Sequence, residues 1–386
     1  MKIIHTSDWH LGKRLSGKNR LEEQRAVIGE IAEICKSEKA DVLIVAGDVF
    51  DTFVPPAEAE ELFYAAIKQI SDYCVVAVIA GNHDDSLRLS AAKGLAKASG
   101  ILLLGDGQKH ETFEGNFASQ LTRIETGENF VRVTRGGETL NLGYLGYPSS
   151  VKLNDMAGEE DYSSGVEKLI KNACSCFTDN GFNVFATHLF VTGAENELSG
   201  ERELGGSKLL PKSVLPDGAA YSALGHIHKP LTVSKSKNAF YSGSPMQLSF
   251  DDVTEKRVIK ITFKDGKAVT EIESIPLKAY KKLVVARVTS EEEAMAALAS
   301  HGDCYVRIEY VSSEPLSPRA VSQFKKYPGF AELVALVPKK EQMSASERRG
   351  KTDAQLFEMF YKQKFNSEPD EKLTEIFLKA VAGEEM

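Results

Sequence analysis

The chain has 386 residues, enough for two or three domains and a large buried core. Its 47 Lys and Arg against 55 Asp and Glu leave a net charge of −8, which excludes a protein that coats nucleic acid or anionic membrane through bulk positive charge. With 42% hydrophobic and 26% charged residues, the composition is that of a globular protein rather than a disordered or fibrous one.

The cysteines and the N-terminus favour a soluble, cytoplasmic protein. The five cysteines are odd in number and scattered, and none form a Cys-x-x-Cys pair, which argues against a disulfide framework and against a zinc knuckle. Residues 1–8 become polar too early for a signal peptide. The longest apolar run, 74–80, is far shorter than the roughly 20 residues of a membrane helix.

Strand-like and helix-like segments alternate over the first hundred residues. The predicted strands begin at Ile3 and cover 41–46 and 75–80, and the predicted helices cover 20–37, 56–70 and 87–98. This β-α-β-α-β order predicts a largely parallel central sheet covered by helices. Later strands at 140–145, 183–187 and 220–224 are expected to continue it, and 253–275 predicts a hairpin that turns at Asp265-Gly266.

The C-terminal part differs in character from the rest. Residues 277–340 predict a small α+β module with strands at 283–288, 305–311 and 333–337 and a helix that follows Ser290. After a polar linker at 339–351, amphipathic helices begin at Asp353 and Asp370, and their apolar stripes must be covered by this chain or by a partner. The predicted domains are therefore 1–276, a cap of 277–340, and a linker with C-terminal helices at 341–386.

Metal-binding residue types follow the ends of several predicted strands. The set comprises Asp8, His10, Asp48, Asn82, His83, His188, His226 and His228. In an open α/β sheet the carboxyl ends of parallel strands face one crevice, so these side chains are expected to converge although they are far apart in the chain. Convergence is the central prediction from the residues alone.

The donor set without His83 indicates a pair of metal ions. Four imidazoles, two carboxylates and one amide suit Mn²⁺, Fe or Zn²⁺ better than Ca²⁺ or Cu⁺. Seven ligands are too many for one tetrahedral ion, but they suit two ions about 3.5 to 4 Å apart that share a carboxylate. Such a pair clamps the attacking and leaving oxygens of a displacement at phosphorus, which predicts phosphoester hydrolysis.

Five motifs around these residues together resemble the signature of the calcineurin-like metallophosphoesterases. They are Asp8-Trp9-His10, Gly47-Asp48-Val49-Phe50-Asp51, Gly81-Asn82-His83-Asp84, Thr187-His188 and Gly225-His226-Ile227-His228. Three further stretches resemble the bacterial members of the Mre-type DNA repair nucleases. These are His10-Leu11-Gly12, the segment 224–230, and Tyr241-Ser242-Gly243-Ser244-Pro245 followed by Ser249-Phe250. The resemblance spans about residues 1–280.

The resemblance implies a fold and a role for each motif residue. The fold would be an α/β, two-sheet metallophosphoesterase core with helices on the outer faces, plus the small α+β cap and the C-terminal helices. One metal ion would be bound by Asp8, His10, Asp48 and His228, and the other by Asp48, Asn82, His188 and His226. Asp48 would bridge two Mn²⁺ ions, with Mg²⁺, Fe or Zn²⁺ possible in their place. His83 would face the scissile phosphate and stabilise or protonate the leaving oxygen, oriented by Asp51.

The same resemblance implies an activity and partners. The activity would be that of a metal-dependent DNA nuclease, a 3′–5′ exonuclease on duplex ends and an endonuclease on single strands and hairpins. It would belong to an ATP-dependent DNA end-processing and repair complex. The C-terminal helices stand where this family docks on the coiled-coil base of its ATPase subunit, and a self-packed hairpin is the alternative. A homodimer through the helices at 56–70 and 87–98 is expected.

Other functions stay open at this point. Protein phosphatases of this superfamily carry an Arg after the second Asp of the G-D-x-x-D motif and a Glu after G-N-H, where this chain has Thr52 and Asp84. This departure favours the nuclease over a phosphoprotein or small-molecule phosphoesterase. An intact His83 argues against a third function, a scaffold whose metals are structural.

Several basic residues have two interpretations. Lys13 and Arg14 either bind phosphate or lie in a solvated loop. The cap contributes 10 Lys and Arg against 7 Asp and Glu, and some of its lysines either contact DNA or form a solvated face. The candidates are Lys278, Lys281, Lys282, Lys325 and Lys326. Gly350-Lys351-Thr352 is not a phosphate-binding loop, because Ala345 stands where the first glycine is needed.

Overall fold

The computed structural model describes residues 1–105, 108–148, 162–192, 209–264, 268–312, 316–336, 351–365 and 367–382. The chain divides into two compact units, Met1–Tyr310 with Leu316–Val334, and Val311–Pro315 with Ala335–Met386. The predicted turn at Asp265-Gly266 and nearly all of the predicted linker lie outside the described residues. The two boundaries between the three predicted domains stay a prediction.

The strands and helices are numbered in chain order. The strands are β1 (Lys2–Thr6), β2 (Val42–Ala46), β3 (Val75–Ile79), β4 (Ile101–Leu104), β5 (Glu111–Phe117), β6 (Gln120–Gly127), β7 (Phe130–Arg135), β8 (Glu138–Leu145), β9 (Phe182–His188), β10 (Val191–Thr192), β11 (Leu210–Pro211), β12 (Tyr221–Gly225), β13 (Leu231–Ser234), β14 (Ala239–Tyr241), β15 (Arg257–Lys264), β16 (Ala268–Pro276), β17 (Leu283–Val288), β18 (Tyr305–Val311) and β19 (Phe330–Leu336). The helices are α1 (Leu21–Glu38), α2 (Ala57–Ser71), α3 (Ser86–Leu89), α4 (Lys93–Ala96), α5 (Tyr162–Ala173), α6 (Glu291–Ser300), α7 (Pro318–Phe324), α8 (Asp353–Phe365) and α9 (Glu371–Ala382).

The first sheet has the order β16-β15-β1-β2-β3-β4. Strands β1 to β4 are parallel, whereas β15 pairs antiparallel with β1. Side chains of a strand point alternately to the two faces. Leu43 and Val45 of β2 pack with α1 and α2, while Val42 and Ile44 face the second sheet. The parallel sheet predicted for the first hundred residues is confirmed.

The second sheet has the order β13-β14-β12-β9-β8-β7-β6-β5. Strands β8, β9, β12 and β14 are parallel, and β5 to β8 form an antiparallel meander. The strands at 140–145, 183–187 and 220–224 therefore do not extend the first sheet. They belong to a second sheet that packs on it, with Val166 and Ile170 of α5 buried on its outer face. The predicted class, a two-sheet α/β core with helices outside, is confirmed.

The helix expected at 87–98 is interrupted. Two single-turn helices, α3 and α4, are followed by a 3-10 turn at Lys97–Ser99. The hydroxyl of Ser90 donates to the backbone carbonyl of Ser86 at 2.8 Å, a local bond of the kind that competes with a continuous helix. Gly94 lowers the helix propensity further. The prediction of one continuous helix was wrong.

The cap has its own small core. Strands β17, β18 and β19 form a sheet, and a cluster that includes Leu298, Ile308 and Phe324 lies between this sheet and helices α6 and α7. Ser290 caps α6 by accepting from the backbone N–H of Glu293, as predicted. The guanidinium of Arg307 lies 4.5 Å from the ring centroid of Phe250, which joins the cap to the nearby core.

The second compact unit contains helices α8 and α9. The rings of Phe357 and Phe377 stack with their centroids 4.1 Å apart, so part of each apolar stripe is covered by the other helix. Phe360, Ile376 and Val381 remain exposed. In the described part of the chain, no helix is both long and apolar enough to cross a membrane. All five cysteines are free thiols.

His5 gives the stability a specific dependence on pH. It is fully buried in β1, its Nδ1 atom lies 2.9 Å from the hydroxyl of Tyr221, and burial lowers the pKa of its imidazole to about 3. Below the ordinary pKa of about 6.5, the unfolded chain takes up a proton that the native protein does not, so stability is lost as the pH falls. We expect the free energy of unfolding to fall by about 2 kcal/mol more in the wild type than in His5→Gln between pH 7 and pH 5. Urea unfolding of both metal-free proteins measures this, and equal losses would contradict it.

Candidate metal centre

The predicted site residues come together where five strands end. Asp8, His10, Asp48 and His228 each offer a ligand atom, and these four atoms lie within 4.8 Å of one another. They follow β1, β2 and β12, two strands of the first sheet and one of the second. The convergence predicted for the strand ends is thus seen in the fold, although it is built by two facing sheets rather than by one.

A second group lies on the other side of Asp48. The Oδ1 atom of Asn82 is 2.9 Å from Nε2 of His188 and 2.9 Å from Nδ1 of His226. The Oδ2 atom of Asp48 is 3.3 Å from Nε2 of His188 and 3.4 Å from Nε2 of His10. Asp48 therefore stands between the two groups, in the position from which one carboxylate could contact a metal ion in each group.

Four of these candidate site residues have positive backbone φ angles. Asp8, His10 and Asp48 have φ values of 55°, 45° and 50°, and His226 has a φ of 110°. Positive φ is uncommon for residues with a side chain and persists where the surrounding structure enforces it, often at functional sites. Hydrogen bonds from the backbone N–H groups of Asp8 and His10 to the carbonyls of Gly47 and Asp48 enforce it here.

Two glycines let the loops approach one another. Gly47 has a φ of 87°, and a Cβ there would lie 2.4 Å from Nδ1 of His188. A Cβ on Gly81 would lie 2.2 Å from the backbone nitrogen of Asp48. Only glycine, which has no side chain, fits at these positions. This explains why the motifs that carry Asp48 and Asn82 begin with glycine.

The protonation of His188 indicates a site for a cation. Its Nδ1–H donates to the backbone carbonyl of Ala46 at 2.9 Å, so the neutral ring presents the lone pair of Nε2 to oxygens of Asn82 and Asp48. An acceptor that faces two acceptors needs a proton or a metal ion between them. Burial lowers the pKa of His188, but the charge of Asp48 outweighs it and raises the pKa to about 9. The donor set thus fits a divalent metal, and the carbonyl of Ala46 orients the ring for it.

The two carboxylates are held close together in a buried site. Burial raises the pKa of Asp8 to about 6, against the charge of His188, and Asp48 adds to the rise. Burial also opposes ionisation of Asp48, but the neighbouring His188 keeps its pKa well below the usual range. Bound cations would offset the negative charge that these groups concentrate.

One side of the site, formed by the partly buried candidate residues, is open to solvent. Asn82, His83, His226 and His228 are only partly buried, so a substrate can reach the metal positions from this side. Burial lowers the pKa of His226 to about 3 and holds that of His228 well below its ordinary value, which leaves both rings neutral. Neutral imidazole is the form that binds metal.

His83 occupies the open side and is oriented by the backbone. Its Nδ1–H donates to the backbone carbonyl of Asp51 at 2.8 Å, and its own N–H donates to Oδ1 of Asp48 at 2.9 Å. The Nε2 atom is left to act on a substrate. Asp51, which was expected to orient His83, makes this contact through its main-chain carbonyl, while its carboxylate has other partners.

The Asp51 carboxylate lies between Lys13 and His10. Its Oδ1 atom is 2.9 Å from Nζ of Lys13 and 3.3 Å from Nδ1 of His10. Burial opposes ionisation of Asp51, but the contacts with His10 and Lys13 dominate and lower its pKa to about 2. A carboxylate behind a metal-binding histidine fixes the tautomer and the ring direction, so this contact suits support of His10.

Asp84 is a structural residue of the site that the sequence left unassigned. Its buried carboxylate accepts from the backbone N–H groups of Val49 and Phe50 at 3.0 and 2.9 Å and from that of Gly81 at 2.9 Å. It therefore ties the loop that carries Asp48 to the loop that carries Asn82. An aspartate in a turn is usually a local cap, so one sequence offers no signal for this longer-range role.

We expect Asp84→Leu to lower the free energy of unfolding by about 3 kcal/mol, because three buried N–H groups lose their acceptor. Urea unfolding of the metal-free protein measures the change. Asp85→Ala is the matched control: the exposed Asp85 caps only α3, through the N–H groups of Leu87 and Arg88, and its loss costs about 1 kcal/mol. Equal losses in the two variants would contradict the tie between the loops.

Comparison with known proteins decides the family. Residues 1–230 match the model of the calcineurin-like phosphoesterases. The chain belongs to the calcineurin-like phosphoesterase family. It is therefore a hydrolase of phosphoesters, and the side chains clustered at the strand ends are its candidate metal-binding residues. The chain is also similar to the D component of the nuclease SbcCD of Bacillus subtilis (strain 168), at 33% identity over 407 aligned residues that cover 100% of this chain and 99% of that protein. This confirms the resemblance noted from the motifs and extends it through the remaining C-terminal residues.

Proposed function

We propose that this calcineurin-like phosphoesterase is a DNA nuclease that hydrolyses phosphodiesters by a two-metal mechanism. The observation that carries the proposal is the place of Asp48, whose Oδ2 atom lies 3.4 Å from His10 and 3.3 Å from His188. The full-length similarity to a component of a nuclease supports DNA as the substrate. The proposed actions are those of a 3′–5′ exonuclease on duplex ends and of an endonuclease on single strands and hairpins.

Each side chain has a proposed task. Asp8, His10, Asp48 and His228 hold one ion, and Asp48, Asn82, His188 and His226 hold the other. When bound, two divalent ions supply a water of lowered pKa and neutralise charge on the phosphate. His83 points its Nε2 atom to the open side, where its imidazolium form donates a proton to the leaving oxygen. The carbonyl of Asp51 accepts from Nδ1–H of His83, and its carboxylate, 3.3 Å from Nδ1 of His10, is the proposed support of that ring.

We propose Mn²⁺ as the metal. The site combines several imidazoles with carboxylate and amide oxygens and contains no thiolate, which fits Mn²⁺, Fe or Zn²⁺. Mg²⁺ prefers oxygen ligands and keeps its waters, so it fits this histidine-rich set less well. The five free thiols fit a reducing compartment, and we propose that the protein acts in the cytoplasm.

The C-terminal helices are the proposed docking element for an ATPase subunit of the SbcC type. Stacking of Phe357 on Phe377 covers only part of the apolar surface of α8 and α9, and Phe360, Ile376 and Val381 stay exposed. Exposed apolar groups on a helix pair suit a helical partner such as the base of a coiled coil. The name of the Bacillus subtilis relative, one component of SbcCD, supports a two-component complex.

A homodimer is proposed through the exposed apolar residues of α3 and α4. Leu87 and Leu95 are 70% and 85% exposed, and dimerisation would cover these apolar side chains. Leu95→Glu is expected to shift the protein from dimer to monomer, measured by light scattering at micromolar concentration. Leu121→Glu is the control, because Leu121 is similarly exposed at 64% but lies on β6. A Leu95→Glu variant that stays dimeric would exclude this interface.

The lysines at the start of the cap are weaker candidates for DNA contact. They line a groove that also carries Glu22, Glu23, Glu58, Glu61 and Asp303, so acidic and basic groups are balanced there. A balanced groove attracts phosphate less than a basic one. Lys13, beside Asp51 at the open side of the site, is a better candidate for contact with the scissile phosphate.

The test of the nuclease proposal is a comparison of substrates. The purified full chain with Mn²⁺ is given end-labelled linear duplex DNA, a phosphopeptide and a small phosphomonoester, with and without the ATPase partner. Metal-dependent shortening of the labelled DNA at a rate well above that for the other substrates supports the proposal. Hydrolysis of the phosphopeptide or the monoester with the DNA left intact would refute it.

A further inference from the structure

A lysine removed entirely from solvent lies next to the metal ligand His228. Lys256, just before β15, is 0% exposed. Its ammonium donates to the backbone carbonyl of His228 at 2.9 Å, to Oγ of Ser244 at 3.1 Å and to the carboxylate of Asp252. Each of its three protons can therefore reach an acceptor.

A stable core does not require this buried ion pair. Removing a lysine and a carboxylate from water is costly, and replacing such pairs by apolar residues is often neutral or stabilising. Asp252, itself buried, balances the charge of Lys256 but touches no candidate ligand in the described contacts. Among the groups that Lys256 contacts outside the pair, the peptide carbonyl of His228 is the one that belongs to a candidate ligand, and it is the better explanation for the buried charge.

The same carbonyl is held from a second direction. The backbone N–H of Ser244 donates to it at 3.0 Å. The neighbouring Gly243 has a φ of 78°, and a Cβ there would lie 2.8 Å from this oxygen, so the segment packs closely against the His228 peptide. The His228 ring, whose Nε2 atom is 3.0 Å from Nε2 of His10, thus extends from a fixed backbone.

We propose that Lys256 is a positioning residue for the metal ion bound by His228. It acts through the His228 carbonyl, which fixes the backbone so that the imidazole is aimed at the group formed by Asp8, His10 and Asp48. The inference rests on the two-metal centre proposed above and adds a residue that lies outside all five ligand motifs. Residues that orient ligands from behind typically change metal affinity by about 10- to 100-fold.

The test is the binding of Mn²⁺ alone to the full chain, measured by titration calorimetry. Lys256→Met is expected to lower the affinity for one of the two Mn²⁺ ions by about 10- to 100-fold. The affinity for the other ion should stay within about twofold of the wild type. The double variant Lys256→Met, Asp252→Leu should show the same loss, which separates the lost contact from the effect of an unpaired buried carboxylate. Lys260→Met is the control, because Lys260 is also nearly buried on β15 but pairs with Glu38 and Glu273.

A variant that already lacks the His228 ring tests whether Lys256 changes Mn²⁺ affinity through His228. His228→Ala should lose the same ion, and Lys256→Met added to it should cause no further weakening of the remaining one. Three results would each overturn the proposal. The first is wild-type Mn²⁺ affinity at both sites in Lys256→Met, and the second is an equal loss of affinity at both sites. The third is a further loss of affinity when Lys256→Met is added to His228→Ala. A wild type that binds fewer than two Mn²⁺ ions would instead refute the two-metal centre, and the positioning role with it.

Discussion

His83→Ala is expected to lower the rate of phosphodiester hydrolysis by about 10²- to 10⁴-fold while both Mn²⁺ ions remain bound. The reason is the place of this ring on the open side of the site. Its Nδ1–H is occupied by the carbonyl of Asp51, and its Nε2 atom is left to meet the substrate. Loss of the proton donor removes assistance to the leaving oxygen but removes no ligand.

Single-turnover cleavage of labelled DNA and calorimetric Mn²⁺ binding on the same preparation measure the two effects separately. His301→Ala is the matched control, because His301 lies at the C-terminal end of α6 in the cap and has no proposed role. Unchanged cleavage by His83→Ala would remove it from the mechanism. Loss of a metal ion in that variant would instead make His83 a ligand.

Asp48→Asn should affect both ions at once, with Mn²⁺ affinity lowered by at least about 100-fold and hydrolysis lost in parallel. The substitution removes the shared negative charge while keeping the shape of the side chain. Asparagine tolerates positive φ better than most residues, so the φ of 50° at this position should be retained. The bond from the N–H of His83 to the side-chain oxygen can also be kept.

The matched comparison is His226→Asn, which removes a ligand of one ion only. It should lower the affinity for one Mn²⁺ ion and leave the affinity for the other nearly unchanged, whereas Asp48→Asn should lower both affinities. Binding isotherms of the two variants distinguish these outcomes. A loss confined to one ion in Asp48→Asn would show that this carboxylate is not shared.

The site could be predicted from sequence because its residues obey a local rule. Asp48 directly follows the apolar strand β2 and Gly47, and His188 is the last residue of β9, so each candidate ligand is marked by its own neighbours. Parallel strands bring such positions to one edge whichever sheet they join. Without the family resemblance, β9 and β12 could not be assigned to a second sheet, because they are buried like the strands of the first sheet and their choice of partners depends on long-range pairing.

Contacts that a residue makes with distant backbone could not be predicted. The carboxylate of Asp51 is the natural candidate to orient His83, whereas the carbonyl of Asp51 does so and the carboxylate contacts Lys13 and His10. Asp84 stands in a turn and Lys256 in a polar segment, and no motif marks the role of either. The backbone partners of Asp84 come from two loops of the first sheet, and Lys256 meets the His228 carbonyl only where the two sheets pack together, so a single sequence carries no sign of these contacts.

The central claim is that these strand ends hold two metal ions that share Asp48. Anomalous diffraction at the manganese edge, from crystals of the full chain grown with Mn²⁺, tests it most directly. We predict two peaks about 3.5 to 4 Å apart, with the Asp48 carboxylate between them. A single peak, or two peaks with Asp48 bound to only one of them, would contradict the account.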